Sequence, residues 1–241
     1  MIHMDLLNGL KIGGALFTFL WGMGIAYIQL KKNLQSWLKR YFAGFFSSTA
    51  IGFLLYTLYH LMFQAPNLII PMMILAQVFF NLGMTCLLLV VLIVEYGEIT
   101  VFDKKLYLFP FILFVISLIG YVIWPPTLNQ EDLENGLINT ETTLILLLIV
   151  NLFRLFIVSF AIIKFWLLAK NSEDNYLKKR LLRFSYGLII ILLGILLNLL
   201  GGSLKSIGIF LEILGLAGFD IGAFIIFQGL IQKIEEKKET E

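Results

Sequence analysis

Three ionisable residues interrupt long uncharged, apolar runs: Arg154, Glu212 and Asp220. An ionisable side chain at the middle of a bilayer costs about 2.5–3.5 kcal/mol even on the lenient insertion scale, so each needs a partner or a task. Counted from the ends of their runs at the α-helical rise, Arg154 lies ~16 Å deep, Asp220 ~20 Å and Glu212 ~8 Å. The first two approach the centre of an apolar layer about 30 Å thick. The runs that hold the three residues cross in the same direction, and helical side chains lean toward their N-terminus. Arg154 is therefore expected to pair with Asp220, Glu212 or both. Such a pairing either fixes helix packing or forms a site for a ligand or a proton. Two acids against one arginine leave one negative charge over, which suits proton coupling or capture of a cation.

Neutral polar residues extend the pattern. Gln77, Asn81 and Thr85 recur at i, i+4 and i+8 and share one helix face. Asn151 precedes Arg154 by one turn, and Asn198 falls near the end of another run. One reading is interhelical hydrogen bonding, worth about 0.6 kcal/mol per contact in a membrane. The sharper reading is a polar-lined cavity open to the outside. Gly218 and Gly222 form a GxxxG pair that lets two helices approach closely. His60, beside Tyr56 and Tyr59, reads as an interfacial hydrogen-bonding residue.

No HExxH, Gly-x-Ser-x-Gly or metal-ligand cluster occurs, and the two histidines are His3 and His60. No catalytic residue, metal or cofactor is therefore expected. The single cysteine, Cys86, precludes an intrachain disulfide.

The elements that must hold these residues follow from composition. Of 241 residues 59% are apolar and 14% charged, against roughly 25% charged in a soluble domain. Burial on folding saturates near 75% for a chain of about 300 residues, so a water-soluble enzyme, a disordered chain and a nucleic-acid module are excluded. Nucleic acid is not an expected partner. Uncharged runs of about 20 residues are the length of a membrane-spanning helix. Seven such spans are expected, at about 12–30, 41–63, 69–94, 106–124, 143–168, 184–202 and 207–230. The run between Arg40 and Glu95 is too long for one span and is divided at Gln64-Ala65-Pro66-Asn67. The expected fold is all-α: a polytopic integral membrane protein, residues 1–241 forming a single seven-helix transmembrane bundle.

Orientation follows from the basic residues. All 18 except Lys11, Arg154 and Lys205 fall on one side of the spans, after the first, third, fifth and seventh. The positive-inside rule then puts the N-terminus outside and the C-terminus in the cytoplasm of a multi-pass cell-membrane protein. Met1 to Leu10 carries no Lys or Arg, which argues against a cleaved secretory signal. The expected partners are the lipid bilayer, anionic inner-leaflet lipids attracted at roughly 1 kcal/mol per basic residue, and a cytoplasmic signalling partner or a second copy of the chain. The last residues, from Gln232, are expected to extend the final helix.

This layout is similar to that of rhodopsins and G-protein-coupled receptors, but their motifs do not follow. The last span holds no mid-helix lysine and no Asn-Pro-x-x-Tyr, and the third ends Glu95-Tyr96-Gly97 where receptors carry Asp-Arg-Tyr. The layout also resembles seven-helix sensor regions fused to histidine kinases. The leading expectation is a sensor or receptor-like module that binds a small molecule or lipid in a polar outer cavity and signals to a separate cytoplasmic partner. The alternatives are a secondary transporter or channel using Arg154, Glu212 and Asp220, and a structural or accessory membrane subunit. An intramembrane enzyme is the least supported.

Overall fold

The computed structural model describes residues 6–32, 35–134, 138, 140–204 and 207–231. The chain folds into helices α1 (Leu6–Lys32), α2 (Trp37–Tyr59), α3 (Pro66–Tyr96), α4 (Lys104–Ile123), α5 (Gln130–Glu134), α6 (Leu144–Asn171), α7 (Asn175–Ser203) and α8 (Gly208–Ile231). All except α5 are long and apolar enough to cross a membrane, which makes seven among the described residues. Lys205, Lys233, Lys237, Lys238, His3 and the expected extension beyond Gln232 lie outside the described residues.

Local chemistry accounts for several of the helix ends. Pro66 occupies the first turn of α3, where a missing N–H costs nothing. Asp103 caps α4 by accepting from the Lys105 and Leu106 amides, and Thr143 caps α6 by accepting from Leu146. Gly97, with φ at +78°, ends α3 in a conformation that a side chain would resist. Several boundaries differ from the sequence expectation: α1 starts at Leu6 against an expected 12, and α2 at Trp37 against 41. The second helix stops at Tyr59, and His60 lies in the turn that follows. α7 begins nine residues before the expected span, because Asp174 accepts from the Tyr176 and Leu177 amides and starts a helix there. Lys178, Lys179, Arg180 and Arg183 therefore stand on the first turns of a helix and not in a loop. Charge ends an apolar span but does not end a helix.

The acidic segment between α4 and α6, read from sequence as a loop, contains structure. β1 (Thr127–Leu128) pairs antiparallel with β2 (Thr140–Glu141), with Thr127 opposite Glu141 and Leu128 opposite Thr140. α5 lies between them, started by the Asn129 side chain, which accepts from the Asp132 amide at 3.0 Å. Ile138, buried, seats this segment on Tyr59, Ile69 and Met73.

Neighbouring helices touch in the order α1, α2, α3, α6, α7, α8 and back to α1, with α4 packed outside against α3 and α6. The tightest seam is α7 on α8. A Cβ on Gly222 would come within 2.5 Å of the Gly187 carbonyl oxygen, and one on Gly194 within 2.7 Å of the Gly215 carbonyl oxygen. Glycine there is a requirement of close backbone approach. On the outer surface large apolar side chains stand uncovered, among them Val122, Phe156 and Ile163. Such a surface belongs in contact with hydrocarbon, not water. The upper end of the ring carries the α2–α3, α4–α6 and α7–α8 connections. The lower end carries the remaining connections and most of the basic residues.

Candidate functional site

The centre of the lower half of the ring is filled by aromatic packing, and a cleft of about 280 Å³ lies beside it by the α6–α7 connection. Phe42 and Phe184 stand with ring centroids 5.1 Å apart and Phe165 and Phe184 5.7 Å apart, with Phe45, Phe46, Leu188 and Ile191 fully buried around them. The upper half is built differently. Where the lower half has phenylalanine, α3, α6, α7 and α8 supply Gln77, Asn151, Arg154, Asn198, Glu212 and small glycines. These do not fill the space, and a cavity of about 270 Å³ remains. Thr140 and Thr142 of the upper connection rim it, Phe53, Phe80 and Tyr121 line its walls, and Met84 and Phe219 lie toward the core below.

Arg154 reaches from α6 across to α3. Its Nε donates to Asn81 Oδ1 at 2.8 Å and its Nη2 donates to Gln77 Oε1 at 2.6 Å. The guanidinium also lies 5.5 Å from the centroid of Phe80, within cation–π range. Asn81, fully buried, is held in turn: its Nδ2 donates to Ser117 Oγ of α4 at 3.0 Å. Ser117 donates to the Phe114 carbonyl at 2.6 Å. Thr85 closes the stripe by donating to the Asn81 carbonyl at 2.9 Å. The i, i+4, i+8 face of α3 thus presents two amide oxygens to one cation.

The expected pairing of Arg154 with Glu212 or Asp220 is corrected. Among the described residues Arg154 forms no ion pair, and Glu212 pairs with Lys11 of α1. Both members of that pair are largely buried, with side-chain exposures of 7% and 22%. Tyr56 donates to Glu212 from α2 at 3.5 Å, and the Lys11 ammonium sits 5.4 Å from the Tyr56 ring centroid. Depth alone could not assign these partners. α7 separates α6 from α8 around the ring, whereas α1 and α8 are direct neighbours. Asp220 stands apart from the cavity, facing Thr18 on α1, and its Oδ1 is buried without a hydrogen-bond partner.

The structure therefore brings Gln77, Asn81 and Arg154 together directly and sets Asn151, Asn198 and Glu212 on the same cavity. Asn151 and Asn198 each spend their Nδ2 donor on their own helix, on the Leu147 carbonyl at 2.8 Å and the Gly194 carbonyl at 3.3 Å. Sequence reasoning missed Lys11, Tyr56 and Tyr121. Lys11 had a signal, since it is opposite in sign to Glu212 and lies one to two turns inside the same end. A second pair, Lys164 with Glu95, ties α6 to α3 at the lower end. It too joins opposite charges at matched depth.

At the upper edge His60 is buried, with Nδ1 2.9 Å from the Tyr56 carbonyl and its ring 4.3 Å from both Tyr56 and Tyr59. Burial, and secondarily the Lys11 charge, push its pKa well below the usual histidine range. No group of three or more His, Cys, Asp or Glu side chains that could hold a metal gathers among the described residues. No family model matches the chain, and neither a curated protein nor a solved structure shows significant similarity to it.

Proposed function

We propose that the chain is a receptor-like sensor module of the cell membrane. It binds a small molecule in the upper cavity and signals through its lower face to a separate cytoplasmic partner or a second copy. In this reading the upper end faces outward and the basic lower end meets the cytoplasm, which the distribution of Lys and Arg supports. The observation that carries the reading is the cavity itself: concave, mostly apolar, holding a few convergent polar groups and stopped below by the Phe42–Phe165–Phe184 core. Ligand pockets have that character, and the cavity, at about 270 Å³, lies just below their usual volumes of roughly 300–1,000 Å³. The chain acts as a binder in this reading and not as an enzyme.

A secondary transporter is the second reading, and Asp220 favours it through its unpartnered buried oxygen in α8. The closed aromatic core and the neutralisation of Glu212 by Lys11 weigh on the side of the sensor. The readings separate in liposomes. The sensor is expected to bind without moving solute, whereas proton- or ion-driven flux that disappears in Asp220→Asn would establish the transporter instead. Orientation is read by maleimide labelling of intact cells, for which the buried native Cys86 gives little background. Glu134→Cys is expected to label from outside and Glu173→Cys only after permeabilisation. The reverse pattern would put the cavity on the cytoplasmic side and remove the sensor reading.

A further inference from the structure

We infer that the cavity takes an amphiphile bearing a single carboxylate, its anionic head on the Arg154 guanidinium and its apolar part along Phe53, Phe80, Met84 and Leu216. This rests on the binding reading given above and names the ligand class for that site.

The charge inventory of the cavity carries the inference. Among the described residues its ionisable lining groups of ordinary charge are Arg154 and Glu212, and Glu212 is already neutralised by Lys11. One positive charge is left without an opposite. The two protein groups that hold Arg154 are neutral amide oxygens, so they orient the guanidinium but bring no charge to it. They occupy Nε and one Nη2 proton, two of the five N–H donors an arginine offers. Among the described residues no hydrogen bond forms to the others, and the guanidinium lies on the cavity wall. A carboxylate accepts from adjacent guanidinium N–H groups as a charge-assisted fork, in surroundings where water competes weakly.

The same inventory excludes other ligands. A cation meets Arg154 and finds the one lining carboxylate among the described residues engaged by Lys11. A dianion such as a phosphate monoester brings a second charge that no further cation lining the cavity matches among the described residues. The aromatic and methionine walls require an apolar body behind the head. A carboxylate amphiphile arrives from water as a short-chain acid or from the bilayer as a fatty acid.

The test uses the full chain in phosphatidylcholine nanodiscs and follows the thermal unfolding midpoint. Octanoate, octanol and octylammonium are added from water, and oleate is supplied in the bilayer. Octanoate or oleate is expected to raise the midpoint while octanol and octylammonium do not. Whichever acid acts identifies the source. Arg154→Gln is expected to weaken that effect by roughly ten-fold or more, Arg154→Lys to retain part of it, and Leu216→Trp, which fills the cavity, to abolish it. Should Arg154→Gln not fold, the wild-type ranking and Arg154→Lys decide. Equal stabilisation by octanol and octanoate, lost in Leu216→Trp, would overturn the carboxylate class and leave the cavity-binding reading standing. No shift with any of the probes would overturn both.

Discussion

The two halves of the bundle use the same six-helix ring to opposite ends. Below the midplane, Phe42, Phe45, Phe46, Phe165 and Phe184 interdigitate and leave almost no exposed area. Above it, glycines, asparagines and one arginine stand at equivalent places, and a cavity survives. The lesson concerns what stabilises each half. The lower half is held by close packing among large side chains. Apart from the glycine seam of α7 on α8, the upper half is held at fixed points: Arg154 on Gln77 and Asn81, Lys11 on Glu212, and the hairpin seated on Tyr59 through Ile138. A half held at points can keep an empty space open. A half held by packing stays filled at its centre, because interiors pack at crystal-like density; its open cleft, about 280 Å³ lined by Val94, Leu168 and Leu181, lies by the α6–α7 connection.

Substitutions test this contrast by how their costs rank. The largest effect is expected from Phe184→Ala, which removes the ring that bridges Phe42 and Phe165; the loss is about 3–5 kcal/mol, read as a lowered unfolding midpoint in a mild detergent. Next comes Lys11→Met. It strands a carboxylate that is 22% exposed, at a cost of about 3 kcal/mol, near the low end for a broken buried pair. Most of that loss is expected to return in the double variant Lys11→Met with Glu212→Gln. If the double variant stays as unstable as the single one, the pair is not what anchors α1 to α8.

Leu216→Ala, on the cavity wall, sits beside space that already exists and is expected to cost about 2 kcal/mol, at the bottom of the range for its type. A cost equal to that of Phe184→Ala would mean that the upper half is packed like the lower. His60 supplies a pH-dependent contribution. Its folded pKa lies well below the unfolded value, which is about 6.5. The unfolded chain thus binds the proton more readily. Stability is complete above about pH 6.5 and falls as the pH drops toward the folded value, by about 1.4 kcal/mol for each pH unit below the unfolded pKa. Comparing unfolding midpoints at neutral and mildly acidic pH in wild type and His60→Phe checks this. A slope that persists in the variant would assign the titration elsewhere. The smallest effect is expected from Lys164→Met, whose partly exposed pair at the lower end is screened by its surroundings, so the unfolding midpoint is expected to move least of all.

Much of the architecture is legible in the chain because a bilayer sets a length scale. Uncharged runs such as 184–204 mark spans of predictable length, and the alternating Lys and Arg mark one end of the ring. The α7 start at Asn175 is less visible, since a hydropathy reading stops at Arg183 while the Asp174 cap lies further upstream. The hairpin at Thr127–Leu128 and Thr140–Glu141 is too short to carry a periodic signal.

Within the candidate site the division is between depth and direction. A rise of about 1.5 Å per residue converts position into depth, so the residue order is enough to bury Arg154, set Glu212 shallow and align Gln77 with Asn81. Partnership needs the angular position of each helix and the order of helices around the ring. Those arise from packing, from the glycine seam of α7 on α8 and from α1 closing against α8. That is why Arg154 rests on two amides of α3 and not on an acid of α8, and why Lys11 completes Glu212. A linear chain records how deep a charge lies, and only the assembled bundle brings it to a neighbour.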